Sequence, residues 1–91
     1  MPEILPLKRG YLWAALPVYN NRGTLRQVVS ECRAILENVV VVDDGSTDVD
    51  VSALLGDLDV TVLVHENNRG KGEAILTASR HVEEQGGVYM V

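Results

Sequence analysis

The sequence predicts an α/β fold, an open parallel sheet with helices on both faces, and two observations carry that expectation. The first is the run Val39-Val40-Val41-Val42, apolar at every position and closed by Asp43-Asp44-Gly45-Ser46-Thr47-Asp48. A β-branched strand without polar alternation needs cover on both faces, which is the condition of a buried strand in a parallel sheet. The second is the order of short apolar runs and helical periods along the chain: strand, helix, strand, helix, strand, helix, strand. Such an order implies right-handed crossovers and parallel neighbours.

The elements follow in turn. Residues 1–10 hold Pro2 and Pro6 and no sustained period, and read as an N-terminal arm before a domain over residues 11–91. Tyr11 to Val18 is a first buried strand that opens into a loop at Pro17-Val18-Tyr19-Asn20-Asn21. From Thr24 the period changes: Leu25, Val28, Val29, Cys32, Ile35 and Leu36 recur at three- and four-residue steps, with Arg26, Glu31, Arg33 and Glu37 off that face. This is the pattern of an amphipathic helix. A second strand is expected at Val39 to Asp43, a short helix around Val49 to Leu55 and a third strand at Val60 to Val64. The loop His65 to Gly72 feeds a helix from about Glu73 to Glu84 with Ile75, Ala78, Ser79 and Val82 inward, which Gly86-Gly87 ends. Val88 to Val91 read as the start of a fourth strand, within which the sequence stops.

Composition narrows the function classes. Ninety-one residues with 46% hydrophobic and 23% charged content fit one small globular domain with a thin core. No apolar run approaches the ~20 residues that span a bilayer, and Pro17 interrupts the only stretch placed like a signal peptide, so the expected location is cytoplasmic, with a longer parent protein at the inner face of a membrane. Cys32 is single and sits among apolar residues, which reads as a packed thiol. The net charge of −5 argues against nucleic acid as a partner.

Ligands of open parallel sheets bind beyond the carboxyl ends of the strands, and Asp43 and Asp44 stand at such an end. Ionised carboxylates there can accept hydrogen bonds from a ribose hydroxyl or a base N–H. The same segment is also ordinary turn chemistry, with Ser46, Thr47 or Asp48 able to cap a following helix. Tyr19 offers an aromatic face to a planar base, or packs as a strand-end aromatic. Arg69 and Lys71 before a helix suit a phosphate, or form a solvated basic turn. Asn20 and Asn21 suit the turn itself. His65 at the loop and His81 on the last helix read as structural or surface residues, His65 being the one near enough to rim a crevice.

Two nucleotide motifs are missing. The first loop is not the G-x-G-x-x-G turn of dinucleotide oxidoreductases, and Gly70-Lys71-Gly72 lacks the earlier glycine and the following Ser or Thr of a P-loop. A sugar-nucleotidyltransferase would need a glycine-rich basic loop where Pro17 to Asn21 stand. Taken together, Pro17-Val18-Tyr19-Asn20, Val42-Asp43-Asp44-Gly45-Ser46-Thr47-Asp48 and Asn67-Asn68-Arg69-Gly70-Lys71-Gly72 with Ala74 resemble the N-terminal half of the family 2 glycosyltransferases, over nearly the whole chain from Trp13 onward. The third loop is most similar to the dolichyl-phosphate-mannose synthase type and its bacterial relatives.

The resemblance implies a truncated GT-A, Rossmann-like half-domain, with the fourth strand beside the first. It implies transfer of a sugar from a UDP- or GDP-sugar donor to a lipid phosphate, glycan or other acceptor, with Mg²⁺ or Mn²⁺ in the full-length enzyme. By the same resemblance Pro17 and Tyr19 flank the base, Asp44 contacts base or ribose, and Arg69, Gly70 and Lys71 lie beside the nucleotide; Asp43, at the same strand end, is counted with them as a nucleotide-sugar-binding candidate. In the family the metal is held by an Asp-x-Asp motif at the end of the fourth strand, which this sequence stops short of. The expectation is therefore a donor-nucleotide half with no catalytic or metal-binding residue of its own, inactive in transfer alone and self-associating through its C-terminal edge strand. The alternative from another class is a non-catalytic nucleotide-binding or assembly module.

Overall fold

Val39 to Val42 are each at most 1% exposed, as a strand covered on both faces requires. In the computed structural model, which describes residues 11–90, they form the middle of β2 (Asn38–Asp44). The arm read at residues 1–10 and the terminal Val91 lie outside the described residues. The remaining strands are β1 (Leu12–Val18), β3 (Thr61–His65) and β4 (Val88–Met90). All neighbours are parallel and the order is β3-β2-β1-β4, which places the fourth strand beside the first as the resemblance implied.

Alternation along the strands divides the core into two layers. Ala14, Val18, Val39 and Val41 meet Leu25 and Val29 of α1 (Arg22–Ile35) and Val51 and Leu55 at α2 (Val51–Leu54) on one face. Trp13, Ala15, Val40 and Val42 meet Ala74, Ala78 and Val82 of α3 (Lys71–Glu84) on the other. Burying each of these valines and leucines contributes about 1.5–3 kcal/mol relative to leaving it exposed. Small alanines on α3 let its axis approach the sheet closely.

Two expectations about helix faces and ends change. The inward stripe of α1 is Leu25, Val29, Cys32 and Leu36; Val28 is 40% exposed and Ile35 83%. Both lie about 70–90° round the helix from the centre of that stripe, beyond what one sheet surface covers. Helix α3 begins at Lys71 and not Glu73, because Gly70 already accepts the first helical bond from Ala74 N–H at 3.1 Å. Its buried residues include Ala74 besides the expected Ala78 and Val82, while Ile75 and Ser79 are half-buried. The short helix is tighter than the segment expected around it, capped by Asp50, whose carboxylate accepts from Ala53 N–H at 3.1 Å. No helix among the described residues is long and apolar enough to cross a membrane.

Candidate functional site

The strand-end loops after β1, β2 and β3 meet at the carboxyl end of the sheet and are tied to one another by side-chain to backbone hydrogen bonds. Asn20, in the left-handed region at φ 49°, donates its N–H to Ser46 Oγ at 3.0 Å, and its side-chain oxygen accepts from Thr47 N–H at 2.8 Å. Asparagine tolerates that backbone conformation better than most residues. Asp48 Oδ2 accepts from Arg22 N–H at 3.2 Å and so caps α1, the helix before it in sequence. The segment read as turn and cap chemistry thus caps backwards, and the helix after it is served by Asp50. Asp48 Oδ1 is buried without a hydrogen-bond partner.

The two adjacent aspartates separate because successive strand residues face opposite ways. Asp43 follows Val39 and Val41 toward the α1 face and closes its own turn, accepting from Ser46 N–H at 2.9 Å. Asp44 follows Val40 and Val42 toward α3 and is 3% exposed. Its Oδ1 accepts from Arg69 N–H at 2.8 Å and from His65 Nδ1 at 2.8 Å; its Oδ2 accepts from Gly70 N–H at 2.9 Å. Burial on its own would raise the Asp44 carboxyl, but the hydrogen bonds from His65, Arg69 and Gly70 together outweigh it and hold the group below the usual carboxylate value. Asp44 is ionised at neutral pH and fastens the loop after β3 to the end of β2.

Pro17, Val18, Tyr19, Asp44, Asn68, Gly70 and Lys71 line a crevice of about 540 Å³ at this end. Of the residues singled out in the sequence, Pro17, Tyr19, Asp44, Gly70 and Lys71 come together there. Asp43 closes its own turn, and Arg69, exposed and not among the lining residues, contributes its backbone N–H to Asp44. Tyr19 is 51% exposed at the mouth. Helix α3 starts at this wall without a side-chain bond from its N-cap Gly70, and Lys71, its first residue, lines the crevice. A smaller hollow of about 130 Å³ lies at the amino ends of the strands, between Trp13, Asn38 and Thr61, away from all three loops.

Sequence reasoning missed Asn68 as a wall residue and Thr77 as the partner of His65. Asn68 stood inside a quoted motif, but nothing in the spacing sets it apart from Asn67. His65 is 6% exposed and lies behind Asp44, not on the rim. A metal finds no donor set among the described residues: no group of three or more His, Cys, Asp or Glu side chains converges. The Asp44 oxygens are engaged by three donors, and the unpartnered Asp48 oxygen is a single donor atom.

Comparison with known protein families gives a match. The model of the family described as Glycosyl transferase family 2 matches residues 13–91. Neither the curated proteins nor the solved structures give a match.

Proposed function

The chain belongs to glycosyl transferase family 2, and from that membership we propose that the crevice takes the nucleotide of a UDP- or GDP-sugar donor, whose sugar goes to a lipid phosphate or glycan acceptor. The observation that carries this reading is the lining: an aromatic ring, a buried carboxylate, a lysine and an uncapped helix terminus around one space at the carboxyl ends of parallel strands. The base packs between the Tyr19 ring and Pro17. Asp44 Oδ2 accepts one N–H from the protein and retains a lone pair for a ribose hydroxyl or base N–H. Lys71 and the first amides of α3 face the diphosphate, with Arg69 adding charge at the mouth. Asp43 supports this arrangement by shaping the turn that carries Ser46.

The likeness of the Asn67 to Gly72 loop to the dolichyl-phosphate-mannose synthase type favours a lipid-phosphate acceptor. Mg²⁺ or Mn²⁺ would neutralise the donor diphosphate in the full-length enzyme, and carboxylate oxygens are the ligands such ions take. With no such donor set among the described residues, the role proposed for them is donor recognition and not the transfer step. The outer edge of β4 is proposed to pair with a second copy of the chain.

Calorimetric titration of the purified chain with UDP and with GDP tests the reading. Binding of at least one, weakened by Tyr19→Ala and kept by Tyr19→Phe, is expected; heat from neither defeats it and leaves the assembly module.

A further inference from the structure

Both ring nitrogens of His65 are spent inside the protein. Nδ1 lies 2.8 Å from Asp44 Oδ1 and Nε2 lies 2.8 Å from Thr77 Oγ1, on the second turn of α3. An ionised carboxylate only accepts, so the Nδ1 proton points to Asp44. The link is imposed by the sheet: Asp44 and His65 are register partners on β2 and β3, so the carboxylate and the imidazole emerge side by side on the α3 face. A leucine would fill the volume. The position instead holds a ring that reaches two elements at once and leaves neither nitrogen unpaired.

We propose that His65 is the positioning residue of the crevice: clamped between Asp44 and Thr77, it fixes the Asp44 carboxylate, which in turn holds the Arg69 and Gly70 amides and sets Lys71 and the start of α3 at the ligand. Asp44 Oδ1 is shared by His65 and Arg69, so the carboxylate has one orientation in which all three donors are served. Remove the imidazole and the carboxylate loses its one side-chain anchor among the described residues, while the turn it carries begins at Gly70, with φ 95° and nothing crowding its α-carbon. The ligand in this proposal rests on the nucleotide reading above; the clamp itself rests on distances alone.

Amide hydrogen exchange followed by NMR on the full chain tests the clamp without any ligand. His65→Leu is expected to speed exchange at Arg69 and Gly70 about tenfold or more, while Val41 and Val42 keep their rates, and His65→Asn, which keeps an N–H near the Nδ1 position but not the link to Thr77, restores part of the protection. Calorimetry with UDP and GDP then reads the consequence: a loss of about tenfold for His65→Leu, partial recovery with Asn, and no further loss when His65→Leu is added to Asp44→Ala. Unchanged exchange in His65→Leu, an Asn variant as poor as Leu, or additive losses would each overturn the proposal. Should His65→Leu fail to fold, Thr77→Val, which removes the Nε2 partner at constant shape, decides it: faster exchange at Arg69 and Gly70 supports the clamp and parental rates refute it. If the parent chain binds neither nucleotide, the nucleotide reading falls and the exchange rates still judge the clamp.

Discussion

The α-carbon of Gly45 lies against the backbone of Asn68: a Cβ at residue 45 would stand 2.5 Å from the Asn68 nitrogen and 2.6 Å from the Asn67 carbonyl carbon. Its φ of +79° is also one that side chains disfavour. The second and third crevice loops therefore touch backbone to backbone, and the glycine after the two aspartates is what permits it. Gly45→Ala is expected to cost about 1–3 kcal/mol of stability in urea unfolding. Because Asn68 lines the crevice, nucleotide affinity should fall as well. A variant as stable as the parent would mean that the two loops part freely.

Asp44 makes stability depend on acid. Its carboxyl is held below the usual 3.8, so below that value the unfolded chain takes up a proton more readily than the folded one. The stabilisation is complete above the usual value and is lost as the pH falls through the lowered one. Urea midpoints measured from neutral pH downward should show the parent declining below about pH 4, where the unfolded carboxyl begins to bind its proton. Asp44→Asn should be less stable at neutral pH by about 1–3 kcal/mol, because one carboxylate oxygen becomes an NH2 that faces a donor and the charge is lost, with a difference that narrows in acid. A difference constant with pH would show that the carboxylate charge plays no part.

The two basic residues of the third loop should not be equivalent. Lys71 lines the crevice, whereas Arg69 contributes its backbone N–H to Asp44, a bond that Arg69→Ala keeps. Lys71→Ala is expected to weaken UDP or GDP binding by about 1.5–3 kcal/mol, as for a lost charged hydrogen bond, and to flatten its salt dependence. Arg69→Ala should cost under about 1 kcal/mol, as for an exposed charge. Calorimetry at two ionic strengths separates them, and equal losses would place the Arg69 guanidinium at the phosphates.

What was legible in the sequence was what periodicity and strand-end chemistry encode. The unbroken apolar run Val39 to Val42 gave away both the strand and its burial, and the turn residues after it marked the crevice end of the sheet. Illegible were features decided between elements. Val28 and Ile35 match the helical steps of α1, but whether a flanking position is covered depends on the width of the surface beneath it. Asp43 and Asp44 are chemically identical neighbours, and only the phase of β2 in the sheet sends one into its own turn and the other to the crevice. His65 and Thr77 are twelve residues apart, and nothing local announces that His65 bridges Thr77 on α3 and Asp44 on β2. The capping of α1 by Asp48 runs against sequence order, and no forward scan for caps would find it.

The outer edge of β4 bears on assembly. Among the described residues β4 pairs with β1 alone, and Val88 and Tyr89 are 44% and 38% exposed, so backbone N–H and C=O groups and apolar side chains share one edge. Such an edge is a template for another strand. The opposite edge, β3, also exposes Val64 at 56%, but that residue sits at the register position of Asp43, beside the crevice loops and within their charged surroundings. Two-fold pairing of β4 with β4 leaves the crevice open, since Val88 pairs in register with Leu12 at the start of β1, the far end of the sheet from Tyr19. Light scattering from micromolar to sub-millimolar concentration should show a monomer giving way to a dimer. Val88→Lys, which sets like charges against each other across the seam, should hold the chain monomeric without altering UDP or GDP affinity. A parent that stays monomeric throughout, or a dimer indifferent to the lysine, would remove the edge strand as the contact.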